Sequence, residues 1–248
     1  MKNTKIIIKD DQGNTIKRDE LLNTTGRVDY EIIGVENVSQ RVKGLHQQAR
    51  VYGQSGNYNK AIELLEEAHR GAPKWPYPLY DLAFTHLLKK DFGKALLNYE
   101  KVDVLAPKGF YTSKVALFTL KKENKGELPK GTYLAYLQLE WIQDPKEKRE
   151  KVNTLLEYLP NYPPAWKELS SLLKDASERK KAIENGLKYN PDSETKGILL
   201  INKALILNME NRNQEAVRIL GKLILNPNST LATVELAKFA LRSITKEG

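Results

Sequence analysis

The chain has 248 residues, 40% of them apolar and 29% charged, with a net charge of +9 and no cysteine. That length suits one sizeable core or a series of small stacked units, and the lack of cysteine excludes disulfides, thiolate zinc sites and cysteine nucleophiles. The sequence has no apolar run long enough to span a bilayer, which takes about 18 residues or more.

The opening "MKNTKIIIKDDQG" has only Ile6, Ile7 and Ile8 as an apolar stretch. This is too short for a secretory leader, so a cytoplasmic location is expected. Residues 4–17 combine that β-branched run with a turn-rich DDQGN and a weak second strand, and "RVDYEIIG" (27–34) alternates like a half-buried strand. Residues 1–36 thus read as a β-containing arm, too small to fold alone.

From 37 the period becomes helical. Leu45, Ala49 and Tyr52 share one face before a break at Gly53–Gly56, and Ala61, Leu64, Leu65 and Ala68 form the next face, ended by Pro73. The plan returns 34 residues later: Leu79, Leu82, Ala83 and His86, a break at Lys89–Asp91, then Ala95, Tyr99, Val102 and Pro107. Two helices per fixed period mark a helical solenoid. Small residues belong where paired helices cross closely, a role for Ala49, Ala61, Ala83 and Ala95. One such pair cannot bury its apolar face, so several must stack.

These residues resemble the tetratricopeptide repeat (TPR) family. The first unit matches its pattern at Leu45, Ala49, Tyr52, Tyr58, Ala61, Ala68 and Pro73; the second matches at Leu79, Leu82, Ala83, Phe92, Ala95 and Pro107, with Val102 where the family prefers Ala. The resemblance implies an all-α, right-handed α-α superhelix carrying the short N-terminal β-containing arm.

Residues 37–109 form the two regular units. The stretch 110–160 holds degenerate helices near 110–122, 131–142 and 146–158. Three is an odd number between paired units, so one helix is extra or 122–131 hides a distorted one. Residues 161–228 form two degenerate units, around Trp166 and Leu169, and around Leu200, Ala204, Ala216 and Pro227. In the last of these Ala and Pro stand one residue closer than in the regular copies. Residues 229–248 read as a capping helix with Ser229 as N-cap and a polar side of Glu235, Lys238 and Arg242.

No catalytic motif is present: no GxSxG, P-loop, HExxH or dinucleotide-binding glycine fingerprint. The three histidines are His46, His69 and His86. His46 and His86 fall on the first helices of adjacent units, within possible reach of one another, but two histidines without a third ligand make a poor metal site. They read as surface or groove residues, and neither cofactor nor metal is expected.

The resemblance places first helices on a concave face. It would carry Lys43, His46, Gln47 and Arg50, then Tyr77, Tyr80, Asp81, Phe84 and Leu88, then Tyr111, Lys114, Val115 and Phe118. Tyrosines bury large area at little entropic cost, and cations beside them can pair with a carboxylate. The expected function is a non-catalytic scaffold binding a protein or peptide segment through His46, Arg50, Tyr77, Tyr80, Phe84, Tyr111, Lys114 and Phe118. A family variant that clamps chaperone C-terminal carboxylates is not expected, because His46, Arg50 and Asp81 stand where that clamp has Lys, Asn and Asn.

Two alternatives remain. Lys108, Lys114, Lys121, Lys122, Lys125 and Lys130 form a basic stretch suited to nucleic acid, although a lysine-rich solvated loop explains it as well. The arm could instead pair with another copy as a homo-oligomer. The mixed runs "DPKEKREK" (144–151) and "KDASERKK" (174–181) read as solvated helix faces.

Overall fold

The computed structural model describes residues 5–9, 14–15, 29–33 and 38–246. Strand β1 (Lys5–Lys9) pairs antiparallel with β2 (Asp29–Ile33), with Ile7 opposite Glu31. The partner of β1 is therefore the alternating 29–33 run, and not the weak second strand expected over 14–17. Of that segment Asn14 and Thr15 are described, and Thr15 makes only an isolated bridge. The rest of the expected arm lies outside the described residues.

Twelve helices follow among the described residues, in two compact units, 1–106 and 107–248. In the first unit, α1 (Gln40–Gln54) pairs with α2 (Tyr58–Gly71), and α3 (Pro76–Leu88) with α4 (Phe92–Leu105). Each start has a local cause. The Ser39 hydroxyl accepts from Val42 N–H, the Asn57 side chain from Lys60 N–H, and the Asp91 carboxylate from Lys94 N–H, while α3 opens on proline, which has no N–H to leave orphaned. Ala49, Ala61, Ala83 and Ala95 are all buried, as close helix crossing requires. The turns inside the two pairs share one device: Gly56 has φ 80° and Lys90, one repeat later, φ 60°.

The second unit contains α5 (Ser113–Asn124), α6 (Thr132–Trp141), α7 (Pro145–Tyr158), α8 (Pro163–Leu172), α9 (Ala176–Lys188), α10 (Ser193–Met209), α11 (Asn213–Leu225) and α12 (Leu231–Lys246). The three helices expected between 110 and 160 are there. Residues 125–131 form no helix. The buried Glu123 folds this segment into a loop, its two carboxylate oxygens accepting from Gly131 N–H at 2.9 Å and Tyr133 N–H at 2.7 Å. No distorted helix is hidden in this loop, and α6 packs on α5 more than on α7. Helix α7 ends at Tyr158, just before Leu159-Pro160, as α2 and α4 end shortly before Pro73 and Pro107, and it packs mainly on α8.

A solenoid repeat touches only its neighbours, but α10 packs against α5 as well as against α8, α9, α11 and α12. Leu231 N–H donates to the Lys108 carbonyl at 2.8 Å, and the Lys108 ammonium reaches the Pro227 carbonyl. The linear stacking order expected for this stretch is therefore broken. The C-terminal part of the chain thus closes on α5 and on the segment just before it.

The cap of α12 also differs from expectation. Ser229 turns its hydroxyl back to the Leu223 carbonyl, and Thr230 accepts from Thr233 N–H at 3.1 Å as the effective N-cap. No described helix is long and apolar enough to cross a membrane.

Candidate functional site

In the first unit, α1 and α3 place one cluster together. His46 Nε2 donates to Asp81 Oδ2 at 2.7 Å, and Arg50 Nε approaches the same oxygen at 4.0 Å. The His46 ring lies edge-on to Trp75 and Tyr77, with centroids 5.0 and 6.0 Å away. Exposure rises outward through the cluster: the His46 side chain is 10% exposed, Asp81 28% and Arg50 64%. Asp81 is therefore not an uncompensated acid, since a ring N–H and a guanidinium both face it.

Other expected residues fall nearby with different roles. Tyr80 is half-buried and lies edge-on to the buried Tyr99 at 5.6 Å, so much of it props α3 against α4. Phe84 and Leu88 are half-buried, while Lys43 and Gln47 are exposed. His46 and His86 are buried rather than surface residues. His86 Nδ1 faces Asp91 at 3.7 Å. Burial lowers its pKa, with Asp91 opposing. Trp75 was not anticipated at this site, although the dense aromatic and proline run "KWPYPLY" (74–80) is a visible signal for it.

In the second unit, Tyr111 precedes α5 with φ 45° and packs edge-on to Phe110. Val115 is a core residue and presents nothing to a ligand. Phe118 carries the Lys122 ammonium 5.2 Å from its ring centre.

The lysine stretch is divided among several tasks. Lys108 binds the 227 carbonyl, Lys122 and Lys125 both pair with Glu127, and Lys114 lies near enough to Glu194 of α10 to oppose its pKa rise. Lys121 and Lys130 are exposed.

A buried ionic network in the same unit had no forewarning. The Lys167 ammonium donates to Tyr136 Oη at 2.8 Å, and Tyr136 donates to Glu168 Oε1 at 2.9 Å. Lys148 lies 3.0 Å from Glu168 Oε2, and Lys167 lies 3.0 Å from Oε1. Helices α6, α7 and α8 are thereby tied at one point. Burial disfavours the Glu168 anion, but Lys167 and Lys148 outweigh it and hold its carboxyl at about 2. Nearby Glu194 goes the other way. Burial and Asp192 push its carboxyl up to about 8, and its Oε2 is buried without a hydrogen-bond partner. The run 144–151, read as a solvated face, thus sends Lys148 inward. No group of three His, Cys, Asp or Glu residues suited to a metal occurs among the described residues.

The paired helices, buried alanines and left-handed turns of the first unit repeat at one fixed spacing. The chain is similar to tetratricopeptide repeat proteins. One such structure is a thermophilic TPR protein of Thermus thermophilus, 16% identical, covering 81% of this chain and 99% of that one, with a TM-score of 0.35. YrrB, a TPR protein with an unusual peptide-binding site, is 12% identical over 86% of this chain and 100% of its own, with a TM-score of 0.33. The TPR2AB domain of yeast Sti1, in a complex with pHSP90, is 13% identical over 82% and 85%, with a TM-score of 0.39. No family model matches the chain, and no curated protein matches it.

Proposed function

We propose that the chain is a non-catalytic scaffold that holds a peptide segment of a partner protein on the face formed by the first helices α1 and α3, the concave face of the TPR arrangement. One observation carries this reading: the His46–Asp81–Arg50 cluster is fixed at its inner end and open at its outer end. The buried His46, wedged by Trp75 and Tyr77, holds Asp81 in place. Asp81 in turn orients Arg50, whose guanidinium is largely in solvent and approaches its carboxylate only loosely. A planar guanidinium set in this way can take a carboxylate in a two-pronged pair. Tyr77 and Phe84, on the same helix as Asp81, supply half-buried apolar surface. The segment recognised is therefore extended, with an acidic side chain meeting Arg50 and an apolar one meeting the aromatic rings.

A photo-crosslinking amino acid placed at position 77 tests the reading in an extract of the native organism. A defined partner peptide is expected in the crosslinked product, lost when Arg50→Ala is added. The same probe at Val104, which is 80% exposed on α4, is expected to give no such product. A product that survives Arg50→Ala, or that also forms at 104, overturns the assignment.

A further inference from the structure

The second unit also contains a cavity of about 320 Å³ between α9, α10 and α11. That size reaches the range of small-molecule sites. Its apolar wall is made by Ile183, Ile206, Leu207 and Ile219, the first three buried in the core. Its rim carries four cations, Lys180, Lys203, Arg212 and Arg218, against two carboxylates, Glu184 and Glu215.

The rim charges are not equally engaged. Lys180 pairs with Glu210 at 3.2 Å. Arg212 holds Glu215 through two hydrogen bonds of 2.7 and 2.8 Å. That hydrogen bonding is the main reason the Glu215 carboxyl lies below its ordinary value, and Arg218 and Lys203 lower it further. Lys203 and Arg218 thus stand close to the same carboxylate, which Arg212 already occupies. Neither has an ion-pair partner of its own among the described residues. Two cations with no ion pair of their own, beside a cavity with an isoleucine and leucine wall, make a site for an anion carried on an aliphatic body. The anion would offset the surplus charge, and the body would displace water from the isoleucine and leucine side chains.

We infer that this cavity binds a small aliphatic carboxylate, with the carboxylate between Lys203 and Arg218 and the chain against Ile183, Ile206 and Ile219. The site lies apart from the α1–α3 face and does not depend on the peptide-binding reading. Glu184 on the rim selects against dianions and against a second negative group at its side.

Isoleucine methyl NMR of the full-length protein tests the inference, with sodium octanoate and 1-octanol as probes. Octanoate is expected to shift the methyls of Ile183, Ile206 and Ile219 saturably, leaving that of Ile62 unmoved. Octanol is expected to bind the same methyls at least tenfold more weakly. Lys203→Met/Arg218→Met is expected to weaken octanoate at least tenfold and to leave octanol unchanged. Neither cation is tied to a partner that its removal would strand. Salt gives an independent measurement on the wild type: octanoate affinity falls as sodium chloride is raised, and octanol affinity does not. Equal binding of the two probes, shifts centred on other isoleucines, or the absence of saturable shifts overturns the inference.

Discussion

Lys90 carries a backbone conformation that its side chain disfavours. Its φ of 60° closes the turn between α3 and α4, where the preceding repeat has Gly56. An L-residue in the left-handed region loses about 1 kcal/mol relative to glycine. Lys90→Gly is therefore expected to raise the stability of the first unit by about 0.5–1 kcal/mol, read as a higher urea midpoint with an unchanged slope.

Glu194 gives a pH dependence of definite sign. Burial first, and Asp192 second, push its carboxyl up to about 8, with Glu140 adding and Lys167 and Lys114 opposing. The unfolded chain releases that proton near the ordinary value for glutamate, about 4.3. Between these values the native state binds a proton that the unfolded state has lost. This contribution to stability is complete below the unfolded value and disappears as pH rises through about 8. Glu194→Gln is expected to flatten the dependence, and urea unfolding of both proteins at several pH values between the two limits checks it. A variant curve parallel to the wild type would show that Glu194 is not the titrating group.

At the level of elements, close approach decides two junctions. A Cβ on Gly197 of α10 would lie 2.9 Å from the Cβ of the buried Thr233 on α12. Gly197→Ala is expected to cost about 1–3 kcal/mol by overpacking. Part of that loss should return in Gly197→Ala/Thr233→Ala, which a double-mutant cycle measures. At the other junction, Glu168→Gln leaves Lys167 and Lys148 without their shared anion, their side chains being 14% and 19% exposed. A loss of about 3 kcal/mol or more is expected in urea unfolding, whereas an exposed pair such as Arg41 with Glu67 contributes little.

These junctions also mark what the sequence can and cannot disclose. The helices over 40–105 follow from alanine and proline spacing, because each such residue acts locally, by small size or by ending a helix. The loop after α5 is invisible in that pattern. It depends on Glu123 reaching Gly131 and Tyr133, a tertiary bond that no periodicity encodes. Lys167-Glu168 looks like any solvated pair of neighbouring charges until Tyr136 and Lys148 converge on it from other helices. Asp81 likewise reads as a lone acid until α1 brings His46 to it.

For the whole molecule, the two compact units contrast in how their contacts are spread along the chain. In the first, helices pack on sequence neighbours, mainly α1 on α2, α2 on α3 and α3 on α4. In the second, residues 108 and 231 are hydrogen-bonded, and α5 lies against α10. A fragment of residues 107–248 is expected to unfold cooperatively in urea by circular dichroism. The shorter 107–228 is expected to lose that cooperativity, since it lacks the segment that closes on Lys108 and the α12 side chains Ala237, Ala240 and Ile244 that complete a core cluster with α10 and α11.

The same closure sets an order of events during synthesis. Ribosomes add about 5–20 residues per second, and domains fold as their last essential segment emerges. The first unit can acquire structure pair by pair as it leaves the exit tunnel. Helix α5 has α6 beside it at once, but its contact with α10 and the Lys108–Leu231 bond wait for segments made much later. For several seconds the side of α5 that meets α10 has no cover, and this is the interval in which a nascent chain meets chaperones.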